Sequence, residues 1–305
     1  MPEIRVFPAA GEADEQRSLE IHNAVNPREP LGPVESREWR RQSRDSEVFL
    51  AELDGLVVGS AHVAIPSYRD GPTGQAYVLS EHRGRGVGQA LYAAASDWAR
   101  SHAASSLRTY VDDDDPESLG WAERRGFTER SREGLVELDL ASFEPLPAQP
   151  PPGVEIVTWA ERPELSRGLY EVALEATPDI PGAEDERVEP FEEWLSVHMH
   201  GEGDRPDGTF IAVADGEAVG YAKFSFWAAK PDTLFHDLTG VKRAWRGRGI
   251  ARALKQTQLN WAKEQGYRFA RTSNEQRNEP IRRLNEQLGY TPIPGRIVLE
   301  GPLQG

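Results

Sequence analysis

Two short runs of alternating arginine and glycine are the residues best placed to do chemistry in this chain: Arg83-Gly84-Arg85-Gly86-Val87-Gly88 and Arg246-Gly247-Arg248-Gly249-Ile250-Ala251. Glycine lets a backbone wrap closely around a ligand, and a turn that opens a helix aims several free N–H groups and the positive helix end at one point. A pyrophosphate fits such a cradle. Neither run is a P-loop, because no Gly-Lys-Ser/Thr follows, and neither is a dinucleotide fingerprint, because Gln89 and Arg252 occupy the third glycine's place. Taken singly, each run also reads as a plain strand-to-helix turn with solvated arginines. The chain has no cysteine, which excludes thiol nucleophiles, thiolate metal sites and disulfides.

The two runs belong to a repeat. At an offset of 163 residues, Val78 pairs with Val241, Ala90-Leu91 with Ala253-Leu254, Trp98-Ala99 with Trp261-Ala262, Glu123 with Glu286 and Gly126 with Gly289. Upstream, an offset of 161 aligns Phe49, Asp54-Gly55 and Val58-Gly59 with Phe210, Asp215-Gly216 and Val219-Gly220, and a loop would absorb the slip. Between the halves runs Pro145-Leu146-Pro147-Ala148-Gln149-Pro150-Pro151-Pro152-Gly153, too rich in proline for a helix and suited to an extended linker. The expected organisation is a domain over 1–144, a linker over 145–153 and a domain over 154–305.

The elements that must hold the second run can be read from periodicity. Val154 to Trp159 alternates like a strand, and Glu164 to Ala176 has helical spacing. Asp215-Gly216 suits a type I′ hairpin between Phe210–Ala214 and Ala218–Phe226. A strand from Leu234 to Val241 leads into the Arg-Gly turn and a helix from Gly249 to Gln265, which Gly266 stops. A strand at Phe269–Ser273, a helix at Glu279–Gln287 and a strand at Ile297–Leu299 close the half. This is a mixed-sheet α/β (α+β) order with a hairpin before the crossover, and so not a simple doubly wound sheet.

Thirty-five basic residues face 50 acidic ones, and the net charge of −15 is uneven, −10 over residues 1–150 and −5 over the rest. A surface of that sign repels phosphate backbones and anionic membranes, so nucleic acid and membrane are poor partners and a small cation a good one. No apolar run is long enough to span a bilayer and the first residues lack a signal-peptide pattern, which makes a cytoplasmic protein the expectation. No metal site is expected: His198 and His200, two apart, point to opposite faces of a helix, and the Asp112–Asp115 run lacks the spacing and glycine of a calcium loop.

Strand, Arg-x-x-Gly-x-Gly/Ala, amphipathic helix, strand, short helix and Gly-Phe/Tyr, present twice, resembles the GNAT acyltransferase superfamily; the signatures are Arg83-x-x-Gly86-x-Gly88 and Arg246-x-x-Gly249-x-Ala251. The resemblance implies two tandem acyl-CoA N-acyltransferase domains. It also implies that acetyl-CoA, as co-substrate, lays its pyrophosphate on the loop amides and its pantetheine arm along the strand ending at Val241. The implied cofactor-binding residues are Val241, Lys242, Arg243, Arg246, Gly247, Arg248, Gly249, Ile250 and Ala251, with Asn274 and Asn278 beyond the next strand. In the first half they are Val78, Arg83, Gly84, Arg85, Gly86, Val87 and Gly88. There Asp115 stands opposite Asn278 and four consecutive acids oppose an anionic cofactor, so the second half is the expected catalytic domain.

Amide formation needs a base for the amine and a proton for the leaving thiolate. His236 and Asp237 precede the loop on opposite faces of their strand, and parity with Val241 favours Asp237; Glu192 and Glu193 on the helix Phe191–Met199 are second-line bases. The family's frequent proton donor, a tyrosine five residues before the terminal Phe/Tyr, is replaced by Ala122 and Asn285, with Tyr221 a substitute. The expected reaction is direct acetyl transfer, in a ternary complex, to a primary amine of a small cationic molecule, a thiol-precursor amine of the mycothiol type among them. A non-catalytic acyl-CoA-binding module and a protein lysine acetyltransferase are the alternatives.

Overall fold

The computed structural model describes residues 3–305. The chain forms two compact units, Met1–Arg130 with Ile297–Gly305, and Ser131–Arg296. In the first unit β1 (Ile4–Pro8), α1 (Gly11–Val25), α2 (Pro33–Arg41), β2 (Ser43–Leu53), β3 (Leu56–Pro66), β4 (Thr73–Val78), α3 (Val87–Ser101), β5 (Ser106–Asp112) and α4 (Pro116–Glu123) follow in order. Strands β1 to β5 lie side by side in that order; the first four are antiparallel, and β5 is parallel to β4 through the α3 crossover.

After β6 (Thr128–Asp139), the second unit repeats the plan with β7 (Val154–Thr158), α5 (Ser166–Ala176), α6 (Phe191–Met199), β8 (Phe210–Ala214), β9 (Glu217–Phe226), β10 (Thr233–Val241), α7 (Ile250–Glu264), β11 (Phe269–Glu275), α8 (Glu279–Gln287) and β12 (Thr291–Pro302). The strand order is β6-β11-β10-β9-β8-β7. Both hairpins turn on the expected dipeptides, with φ of 53° and 85° at Asp54-Gly55 and 51° and 82° at Asp215-Gly216, left-handed values that Asp and Gly tolerate.

The units do not follow the sequence halves strictly. Strand β6 pairs antiparallel with β11 from Glu133↔Glu275 to Asp139↔Phe269, so a strand from the first half completes the second unit's sheet. The end of β12 lies in the first unit, where Ile297 and Leu299 share a core with Tyr92, Leu107 and Phe127. The proline-rich segment lies inside the second unit, where the Leu146 carbonyl accepts from Asn260 Nδ2 at 2.9 Å and the preceding Phe143 is buried with Phe224 and Leu259. The compact units therefore change over along β6 and β12 rather than at the prolines, because each strand finds hydrogen bonds and apolar cover beyond its own half.

Alternation along the second unit's strands builds two cores. Ile211, Val213 and Tyr221 meet Leu169, Val172, Trp194 and Met199 on the α5/α6 face, while Phe224, Leu234 and Ala270 meet Leu259, Ala262 and Leu288 on the α7/α8 face. Leu254, fully buried on α7 beside Ala222 and Val241, anchors the helix that follows the Arg-Gly turn. Leu254→Ala is expected to destabilise the protein by about 2–5 kcal/mol, read as a lower urea midpoint.

Candidate active site

Both Arg-Gly turns take the same shape. Gly247 and Gly249 have φ of 73° and 86°, and Gly84 and Gly86 have 71° and 94°, so each turn places two residues in the left-handed region before its helix. Gly249 is the N-cap of α7, and a Cβ added there would meet nothing within 4 Å. The turn is thus an open cradle facing the free N–H groups of α7's first turn. The leading arginine ties the turn to the strand before it: Arg246 Nε donates to the Val241 carbonyl at 2.9 Å, and Arg83 Nε to the Val78 carbonyl at 3.3 Å. The third residue of each run differs in its partner, since Arg248 lies over the Trp245 ring while Arg85 pairs with Asp54 at 3.0 Å.

The strand ahead of the turn parts from its neighbour. The backbone ladder between β10 and β11 covers only Thr233↔Phe269, Leu234↔Ala270 and Phe235↔Arg271; at the next step the Thr272 hydroxyl donates to the His236 carbonyl at 3.0 Å, and beyond it the strands part. In the first unit β4 and β5 pair at Thr73↔Arg108 alone. Within the splay of the second unit, β10 carries a register shift between His236 and Thr239 opposite β9, the bulge that lets neighbouring side chains leave strict alternation.

Asp237 and His236 go to opposite faces. Asp237 Oδ2 lies 2.7 Å from Lys223 Nζ, and that ammonium also holds Asp204 at 2.6 Å; the Ser225 hydroxyl donates to Asp237 as well. Burial would lower the Lys223 pKa, but the two carboxylates outweigh it and raise it. Tyr221, buried two residues earlier on the same strand, is pushed up by burial and by the Asp237 charge. Lys223 and Asp204 were invisible to a search confined to the strand before the turn; the one legible signal was a lysine interrupting the apolar run Ala222-Lys223-Phe224.

His236 is 1% exposed, packs edge-on against Phe224, and bonds through Nε2 to Thr239 Oγ1 at 2.9 Å. Burial, helped by the charge of Lys255, lowers its pKa well below the ordinary value. Asn274 and Asn285 meet across the same face, Asn285 Nδ2 donating to Asn274 Oδ1 at 3.3 Å, while Asn274 Nδ2 and Asn285 Oδ1 are buried with no partner. Asn278 is the N-cap residue of α8 and makes no side-chain capping bond. The structure does not bring Glu192 or Glu193 to this group: both are exposed in the first turn of α6, whose buried residues are Trp194, Val197 and Met199.

Cations of the turn are already engaged. Asp179, three residues beyond α5, accepts from Arg243 Nε and Nη2 at 2.8 Å each and from Arg246 Nη1 at 2.6 Å, which holds its carboxyl well below the usual range. Glu175 accepts from the Arg243 backbone N–H at 2.9 Å, and Lys242 pairs with Glu171 at 2.9 Å.

The first unit uses its acids otherwise. Asp115 caps α4, accepting from the Ser118 N–H at 3.0 Å, while Asp112 and Asp114 take Arg28 at 3.0 and 2.8 Å. Its β3 carries a group that sequence reading missed: His62 Nε2 lies 2.8 Å from Ser18 Oγ, with the rings of His22, Trp39 and Tyr77 around it, and burial beside His22 pushes His62 down to about 3. In the second unit His198 bonds Glu189 at 3.1 Å and His200 stacks on Trp159, and among the described residues no three metal-ligating side chains come together.

A model of the acetyltransferase (GNAT) family matches residues 14–127 and again 167–290, each region enclosing one turn and one splay. The chain belongs to the GNAT family. It is accordingly an acyl-CoA-dependent N-acetyltransferase. It is 27% identical over 288 residues to a mycothiol acetyltransferase of Thermomonospora curvata, covering 92% of this chain and 89% of the relative. A second such enzyme, of Nocardiopsis dassonvillei, is also 27% identical, with 81% and 79% covered. Among solved structures, a tandem GNAT protein from the clavulanic acid biosynthesis pathway superposes with a TM-score of 0.82 at 23% identity over 99% of both chains. A GCN5-related N-acetyltransferase of Sphaerobacter thermophilus gives 0.79 at 22% identity, over 99% of this chain and 96% of that one. No helix among the described residues is long and apolar enough to cross a membrane.

The buried His236 sets a pH dependence. A histidine held neutral in the fold but free to protonate when unfolded contributes stability that is present above the unfolded pKa of about 6.5 and lost as pH falls below it. The urea midpoint is expected to fall between pH 7.5 and pH 5, and His236→Gln is expected to shrink that difference.

Proposed function

We propose that the second unit is the catalytic one and transfers acetyl from acetyl-CoA directly to the primary amine of a small cationic acceptor. The observation that carries the reading is the open Gly247–Ala251 cradle standing at the end of a strand whose neighbour has splayed away. The cradle's N–H groups suit a pyrophosphate, and the main-chain groups of β10 and β11 that lie beyond the last pair of their ladder, Phe235↔Arg271, suit the amides of a pantetheine arm. The partnerless Asn274 Nδ2 and the uncommitted Asn278 side chain suit the same arm. Two domains, joined near residues 145–153, are the reading of the repeat that goes with this assignment.

Asp237 is the proposed proton acceptor for the attacking amine. Lys223 and Ser225 fix its carboxylate on the α5/α6 face, and with Asp204 on the same ammonium it lends that face the negative charge a cationic acceptor needs. His236 turns to the α7 face and steadies the bulge through Thr239, so it serves the geometry rather than the amine. With no cysteine to carry an acyl group, transfer within a ternary complex is the simplest route. The likeness to mycothiol acetyltransferases places a thiol-precursor amine of the mycothiol type first among acceptors to test. In the first unit Val111 stands where the second has Asn274, and Asp112–Asp115 where it has Glu275–Asn278, which supports a non-catalytic role for that half.

Calorimetric titration with acetyl-CoA tests the assignment. One equivalent should bind, Gly249→Glu should abolish binding by placing a carboxylate in the cradle and straining a φ of 86°, and Gly86→Glu should leave it intact. Two equivalents, each lost with its own turn, would make both units active. Asp179→Asn, by releasing Arg243 and Arg246, is expected to tighten acetyl-CoA binding roughly two- to fivefold, the scale of an exposed ion pair. Release of free coenzyme A with a panel of primary amines then identifies the acceptor.

A further inference from the structure

We propose that Lys255 receives the leaving sulfur of coenzyme A in the second unit, its ammonium standing opposite the thiolate as the C–S bond breaks and giving it a proton. The proposal rests on the second unit being the acetyl-CoA site.

Lys255 lies in the second turn of α7, one turn beyond the cradle. It is 1% exposed, and among the described residues it has no hydrogen-bond or ion-pair partner. A buried ammonium without a counter-charge is costly, and the usual outcome of evolution at such a position is an apolar residue or a paired one. The equivalent residue of the first half, Tyr92, shows the contrast: its hydroxyl donates to the Pro302 carbonyl. Lys255 has only the face of Tyr290, whose ring centroid lies 5.4 Å from Nζ.

The surroundings point to a ligand rather than to packing. Four further side chains, each at least nine-tenths buried, leave a polar atom without a partner: His236 Nδ1 on β10, Asn274 Nδ2 on β11, Asn285 Oδ1 on α8 and the Tyr290 hydroxyl just before β12. They come from the strands that form the splay and from the elements packed on its α7/α8 face. Native interiors rarely leave so many buried polar atoms unpaired in one place. Two of these atoms, Asn274 Nδ2 and the Tyr290 hydroxyl, can donate, which suits a group that gains negative charge.

The chemistry needs such a group there. The amine nitrogen attacks the thioester carbonyl carbon, the C–S bond breaks with its electron pair going to sulfur, and the sulfur takes one proton while the nitrogen loses one. In this assignment the nitrogen's proton passes towards Asp237 and the sulfur's comes from Lys255 Nζ, which solvent then reprotonates. The titratable groups facing Lys255 are His236 and Tyr290. His236 is held neutral and Tyr290 is raised by burial into a weaker acid, whereas burial lowers the Lys255 ammonium from 10.5 to about 7, where it yields its proton near neutrality.

The test needs no acceptor. Coenzyme A is bound to the full-length protein, confirmed by calorimetry, and its thiol is titrated by thiolate absorbance in wild type and in Lys255→Met. Wild type is expected to lower the bound thiol's pKa by at least one unit, a tenfold shift from that of free coenzyme A titrated alongside, and Lys255→Met is expected to abolish that shift while retaining coenzyme A binding within about threefold. A bound thiol titrating like free coenzyme A in wild type overturns the proposal whether or not the variant folds, and an equal shift in both proteins overturns it too. Failure of wild type to bind coenzyme A, or binding lost with Gly86→Glu instead of Gly249→Glu, overturns the catalytic assignment of the second unit itself, so the two failures are distinct.

Discussion

The pairing between β10 and β11 ends after Phe235↔Arg271, and the site is built on that interruption. Backbone N–H and C=O groups inside a protein need partners, so strands that part in mid-sheet must leave those groups to something else. On one side of the gap the Arg-Gly turn adds further free N–H groups at the start of α7, and on the other β11 carries Thr272 and Asn274. Alternation along β10 sends Asp237 to one face and His236 to the other, which separates an acidic side from one lined by His236, Lys255 and Asn274. A continuous parallel ladder would have closed all of this.

Charge organises the two faces. Lys223 binds Asp237 and Asp204 together where either carboxylate alone beside a buried tyrosine would be unfavourable, and Asp179 collects Arg243 and Arg246 at the turn. These two clusters have opposite signs in excess, acid near the proposed amine and base near the proposed pyrophosphate. Asp179 and Glu175 lie at the end of α5, so the helix that packs on the acceptor face also touches the turn.

Two copies of one fold have diverged where chemistry would show it. The turns superimpose in dihedral angles and in the arginine bond back to the strand, features that any such turn needs. Beyond them the second unit buries His236, Lys255, Asn274 and Asn285, where the first has Thr73, Tyr92, Val111 and Ala122. The first unit's aspartates cap a helix and hold Arg28. Its polar cluster instead joins His22 of α1 and His62 of β3 to Tyr77 of β4.

Spacing along the chain was enough to reveal the repeat, the hairpins, the turns, α6 and α8 to the residue, and the α/β order, because each depends on local rules: left-handed residues at a turn, apolar period along an element. It also put Asp237 and His236 on opposite faces of their strand, since alternation assigns faces. Partners distant in sequence were beyond it. Lys223 with Asp204, Asp179 with Arg243, and Lys255 with Tyr290 each join side chains 19 to 64 residues apart that only packing brings together. The exchange of β6 and the end of β12 was hidden for the same reason: a strand's own residues say that it will pair and which face it will bury, but the choice of partner is made by whichever edge is open when the cores close.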